Sequence, residues 1–255
     1  MVSKKILSLD RAVTFLESLE ETIISKLIDR IQFCLNPSVY ESGKSGFSGE
    51  SSSLFELRMR YQEETDALFG RYTVPEERPY NTGLPAPQRS MNAANSPFKI
   101  ADFNTVNLTP KIIQAYLELL PRICSAGSDG EYLSAVGSDI YAIQTIATRI
   151  HYGSFYVAEC KYTTSPDTYR KMIDAKDTAS IEAALTRPEV EQRNIARVMQ
   201  KTERLQNLNN PDFSEKKQNG LRIILSSEEV GNFYRDVIMP LTREGEVRYL
   251  MNRQR

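Results

Sequence analysis

From Leu9 to Ile31, Val13, Leu16, Leu19, Ile23, Ile24, Leu27, Ile28 and Ile31 recur at the three- and four-residue steps of one helix face. Asn36-Pro37 stops the pattern. Strands need a period of two, and the best such run, LRIIL (Leu221–Leu225), is short. Further helices are predicted over Leu54–Leu68, from Thr109-Pro110 through KIIQAYLELLPRIC, and from Glu131 to Tyr162. Ser165-Pro166 and Asp177 open two short ones, and Thr186-Arg-Pro188-Glu189 reads as a capping box for another. A second box, Ser226-Ser-Glu-Glu229, opens a final helix to about Arg253. The pattern predicts an all-α protein of one domain.

The connections differ in kind. ESGKSGFSGESSS (Glu41–Ser53) is a Gly/Ser loop, and Asn207–Gly220 is polar linker. Tyr72–Thr109, rich in Pro and Asn, is long enough to wrap a surface or build a site.

At 255 residues and 40% hydrophobic content, the chain can bury a substantial core. Its 32 basic and 33 acidic side chains leave a net charge of −1, so nothing draws it to nucleic acid or an anionic membrane. No apolar run reaches membrane-spanning length, and MVSKKILSLDRAV has no apolar signal region. Cys34, Cys124 and Cys160 lie far apart with no CxxC pairing, which suits reduced thiols in the cytoplasm. One histidine precludes a His-rich metal site, and neither GxxxxGK[ST] nor GxGxxG is present. We expect no metal, nucleotide or other cofactor.

Two stretches carry charge where the composition looks buried. ATRIHYGSFYVAECKY (Ala147–Tyr162) holds Arg149, His151 and Lys161. A buried cation is costly unless an anion meets it. The two cations are twelve residues apart, so a regular helix would splay them by about 120°. In IMPLTREGEVRYL (Ile238–Leu250), Thr242 and Glu246 share a face, and Pro240 should bend the helix just before them. Taken singly, each charge also reads as an ordinary solvated group.

The order of RIHYG…VAECK, GRYTVPEERPY (Gly70–Tyr80), PEVE (Pro188–Glu191), IMPLTREGEVRYL and LSLDRAVTFLESLEETIISKLIDR (Leu7–Arg30) resembles the all-helical chorismate mutases of fungi and plants. The resemblance implies a helical homodimer that converts chorismate to prephenate by a Claisen rearrangement without a cofactor. Such catalysis holds a compact conformer and stabilises charge on the breaking ether oxygen. By the same resemblance, Arg149 grips a carboxylate, Lys161 reaches the ether oxygen and a carboxylate, and Glu246, protonated, donates to that oxygen. Thr242 helps hold a carboxylate and Glu191 takes the ring hydroxyl. The resemblance gives His151 no chemical role, and it is assigned to packing.

The chain departs from that pattern in three places. Val13 stands where the family's first helix carries a clamping arginine, and it reads as core on the apolar stripe. Arg11 is about 160° away on the helix. Weakened activity is expected, with a non-catalytic scaffold of the same fold as the alternative. Second, relatives hold the two cations eleven apart; the extra residue predicts a π-bulge near Gly153–Tyr156 that would bring Lys161 back to the face of Arg149. Third, Arg71 and Ser134 match an effector site for tyrosine or tryptophan at the dimer interface, but Leu133 and Gly70 replace its glycine and second arginine. Effector control is expected to be weak or absent. Arg187, an asparagine in fungal relatives, is a lesser change.

Overall fold

The computed structural model describes residues 7–89, 96–208 and 223–254. It is helical, with no strand among the described residues. Helix α1 runs Leu9–Arg30, α2 Leu54–Leu68, α3 Thr109–Ile123 and α4 Tyr132–Tyr152. A π-helical turn, Gly153–Val157, joins α4 to α5 (Ala158–Thr164). Then come α6 (Pro166–Asp174), α7 (Thr178–Leu185) and α8 (Pro188–Leu208). Finally α9 (Ser227–Phe233) passes through a second π turn, Tyr234–Ile238, into α10 (Met239–Asn252).

The main core is aliphatic. Ile23, Ile24 and Leu27 of the first helix, and Ile31 just after it, meet Ile112 and Tyr116 of α3, Ile140, Ile143 and Ile150 of α4, and Phe233 and Ile238. Within it, fully buried Arg30 donates to Asp139 at 2.6 Å, tying α1 to α4. Asp139 also accepts from the hydroxyls of Tyr40 and Tyr116, so its buried charge is compensated on several sides. Burial raises the Asp139 carboxyl and Arg30 opposes that rise. A second, aromatic cluster of Phe98, Phe155, Tyr162, Tyr169 and Tyr249 packs where α10 meets α5 and α6.

The long connection after α2 is irregular, as predicted, with short 3-10 turns at Arg71–Thr73 and Phe103–Val106. Buried Glu63 pins it by accepting from the amides of Tyr80 (2.6 Å) and Asn81 (2.7 Å). Arg78 donates back to the carbonyls of Tyr72 and Val74.

Several local expectations need correction. Thr186 does not cap α8; its hydroxyl donates to the Glu182 carbonyl 2.8 Å away and closes α7. At Ser226 only half of the box forms, because the Glu229 carboxylate pairs with Arg122. A complete box occurs instead at Ser53 and Glu56. The polar linker is shorter than predicted, since α8 continues to Leu208, and its remainder lies outside the described residues. So do Leu221 and Arg222 of the best strand candidate, and Ile223–Leu225 form no strand.

Candidate active site

The extra residue between Arg149 and Lys161 is absorbed by the π turn at Gly153–Val157, as the spacing requires. One added residue per turn takes up about 100° of the expected 120°, so both cations face one side. The C-terminal helix then lies against this segment at two glycines. A Cβ on Gly153 would stand 2.6 Å from the Thr242 Cγ2, and one on Gly245 would stand 1.9 Å from the Ser154 Oγ. Only glycine permits that approach. It brings Thr242 and Glu246 onto the two cations.

Arg149, 6% exposed, donates from Nη1 to the Thr242 hydroxyl at 3.3 Å, and its buried Nε has no partner. The Thr242 hydroxyl itself donates to the Ile238 carbonyl at 2.7 Å. Lys161 Nζ donates to Glu246 Oε1 at 3.1 Å and to the Leu185 carbonyl at 3.2 Å. Glu246 is 5% exposed, so the reading of an ordinary solvated charge does not hold for it. Burial raises its carboxyl; Lys161, then Arg243 and Arg149, pull it back, and burial prevails. Glu191, in the first turn of α8, pairs with Arg243.

These groups line one cavity of about 320 Å³, together with Val13, Leu16, Val157, Leu185, Arg187, Val190, Asn194, Met239 and Arg243. Every residue predicted for catalysis and substrate binding is on its wall. Val13 is the correction: it is 41% exposed and faces the cavity, while neighbouring Ala12 turns inward. The first turns of α1 pass along the cavity rather than over the core. The sequence reading missed Arg243, Asn194 and Met239 as wall residues, since nothing local distinguishes them. It also missed the second π turn, Tyr234–Ile238, which lies directly before Met239-Pro240 in an unbroken helical run.

A larger cavity of about 640 Å³ lies beside Tyr72–Pro87. Arg78 on its wall is engaged by Tyr72, Val74 and Asn104, whereas the smaller cavity carries the residues predicted for catalysis and substrate binding. His151 is fully buried between the Leu108 amide (2.9 Å to Nε2) and the Ala147 carbonyl (2.8 Å from Nδ1), a packing role. Arg71 is held by Glu77 at 2.9 Å and Asp66 at 3.6 Å, while exposed Ser134 donates to Glu131. Neither lines the two cavities.

No group of three or more His, Cys, Asp or Glu side chains among the described residues could hold a metal ion, and no helix there is long and apolar enough to cross a membrane. A scan of family profiles finds no match. Individual proteins do match. The chorismate mutase of Schizosaccharomyces pombe is 35% identical over 240 residues, covering 92% of this chain and 91% of that protein. The crystal structure of the chloroplast chorismate mutase of Zea mays superposes with a TM-score of 0.81 at 32% identity, covering 98% of this chain and 96% of that one. The Candida albicans chorismate mutase in complex with L-Trp gives 0.85 at 31%, covering 97% and 92%. With these similarities spanning nearly the whole length and an all-helical fold in common, the chain belongs to the chorismate mutase family of fungi and plants.

Proposed function

We propose that this cavity binds chorismate and that the chain catalyses its rearrangement to prephenate. The observation that carries the reading is Arg149: a buried guanidinium with one hydrogen bond, an unpartnered Nε, and a cavity in front of it. An under-satisfied buried guanidinium suits a carboxylate, which it can meet with two parallel bonds. The reaction is intramolecular. The ether C–O bond breaks as a C–C bond forms, with no proton or electron supplied from outside. What the protein provides is a compact conformer and positive or donating groups where negative charge grows on the ether oxygen. Lys161 and protonated Glu246 fill that second role, Thr242 supports the carboxylate on Arg149, and Glu191 takes the ring hydroxyl.

A homodimer is part of the proposal. Tyr61 of α2, Phe69 just past its end, and Leu133 and Tyr141 of α4 are exposed apolar side chains on and beside two helices in contact, suited to cover by a second copy. A cytoplasmic location is in keeping with three unpaired cysteines. The test is direct: purified chain is mixed with chorismate, and loss of the substrate's absorbance is followed with prephenate identified as product. Absence of turnover at any pH from 5 to 8 overturns the proposal.

A further inference from the structure

The four cations on the cavity wall are not equivalent. Lys161 faces Glu246, and Arg243 faces Glu191 and Glu182. Arg149 and Arg187 form no ion pair among the described residues. With both wall carboxylates ionised, the cavity keeps an excess of two positive charges.

Arg187 is exposed at the cavity edge, close enough to Tyr169 for its charge to be felt there. Its carbonyl accepts from the amides of Val190 (3.0 Å) and Glu191 (3.1 Å), which makes it the N-cap residue of α8. Ser, Thr, Asp or Asn favour that position because their side chains can accept a backbone N–H; a guanidinium accepts nothing. A cation at a helix N-terminus also opposes the helix dipole, which Glu189 and Glu191 in the first turn partly offset. Its side chain forms neither a hydrogen bond nor an ion pair among the described residues, yet it lines the cavity. On the α1 wall, Val13 offers only methyl groups.

We infer that Arg187 binds the second carboxylate of the substrate, so that this chain closes its anion clamp from the turn between α7 and α8 rather than from α1. The inference rests on the chorismate reading above. It makes Arg187 a substrate-binding residue whose loss acts mainly on KM, because a carboxylate that keeps its charge throughout the rearrangement is held in ground and transition state alike.

The test compares wild type, R187A, R187K, V13R and the V13R/R187A double variant in steady-state kinetics, with thermal unfolding to verify the fold. R187A should raise KM roughly ten- to hundredfold with a smaller fall in kcat, the loss of one charged hydrogen-bonding partner. R187K should recover only part of this, since an ammonium lacks the planar fork. V13R should lower KM at least tenfold in the R187A background and less than threefold in wild type, because the two guanidinium groups would serve one carboxylate. A KM for R187A within twofold of wild type overturns the assignment, as do equal effects of V13R in both backgrounds. If wild type converts no chorismate, the reaction reading fails by itself. Calorimetric binding of prephenate then judges Arg187: binding weakened by R187A upholds the assignment, and no binding or unchanged binding overturns it.

Discussion

The Lys161 ammonium stands 3.1 Å from the Glu246 carboxylate, and each of these residues follows a π turn in its own helix. A π turn takes one more residue than an α turn, so each shifts everything after it by about 100°. The site therefore depends on the register of two segments that hold no catalytic group. Such turns recur at functional sites because they re-aim one side chain without breaking the helix.

Changing the length of the first π turn tests this register. Tyr156 is the least buried residue in the segment. Deleting it leaves Arg149 and Lys161 eleven positions apart, which on a regular helix puts them within about 20° of each other. The deletion variant should keep kcat/KM within about tenfold of wild type. Inserting one alanine after Ser154 turns Lys161 a further ~100° away and should lower kcat/KM at least about a hundredfold. Equal activity from both variants would mean that register does not govern the site.

Glu246 sets the pH dependence. Its carboxyl is raised by burial and only partly drawn back by Lys161. A protonated Glu246 donates, so activity should fall as pH rises through its pKa and persist below it. Glu246→Gln keeps a donor at every pH, and the falling limb should disappear while neutral activity remains. Stability follows the same sign. A folded-state pKa above the unfolded value means that the native protein binds more protons between the two, so stability declines as pH rises through that interval. The Gln variant should lose this slope in urea titrations run at a series of pH values. A Gln variant inactive at all pH values would refute the donor role.

The glycine contacts can be tested separately. Gly245→Ala puts a methyl group 1.9 Å from the Ser154 Oγ and 2.6 Å from its Cβ, against a helix that cannot yield cheaply. Overpacking of this kind costs about 1–3 kcal/mol, read as a lower urea midpoint with an unchanged m-value. Ser154→Gly in the same chain should restore most of the loss. Gly153→Ala meets the Thr242 methyl at 2.6 Å instead, so its larger effect should be on KM.

How much of this was legible in the sequence follows from which interactions are local. Helix α1 announced itself by periodicity, and the π turn at Gly153 followed from setting the twelve-position spacing of two cations against the eleven of the family the chain resembles. The capping box at Thr186 failed because a threonine hydroxyl can bond backward to a carbonyl as easily as forward to an amide. Val13 failed for a related reason: periodicity reports which face is apolar, not whether core or cavity lies opposite it. The pairing of Glu191 with Arg243 joins residues on different helices, and no spacing rule encodes it. The second π turn carries no length mismatch that would betray it.

Effector control gives a fourth prediction. Arg71 is already spoken for by Glu77 and Asp66, and the Leu133 side chain, 70% exposed, occupies the surface beside Ser134. An amino acid would have to displace the acidic partners of Arg71 and pass the leucine. Millimolar tryptophan or tyrosine should therefore change kcat/KM by less than about twofold, roughly 0.4 kcal/mol of coupling. A large activation by tryptophan would show that a dimer supplies other contacts.

His151 offers the last test, because its position predicts a stability slope with a definite sign. It is fully buried, accepting from the Leu108 amide at the start of α3 and donating to Ala147, and burial lowers its pKa to about 3. In the unfolded chain the imidazole regains an ordinary value near 6.5. Between those limits the unfolded state binds one more proton than the native state, so folding stability falls as pH drops from about 6.5 toward 3. One proton limits the slope to about 1.4 kcal/mol per pH unit. His151→Gln can still accept from the Leu108 amide and cannot titrate. Its stability between pH 6 and 5 should decline less steeply than that of wild type, by up to that amount per unit, even if its absolute stability is lower. Activity at neutral pH should change only as far as the protein unfolds, because the imidazole faces the start of α3 and not the cavity. Parallel pH–stability curves for the two proteins would mean that His151 is charged in the native state, contrary to its packing role.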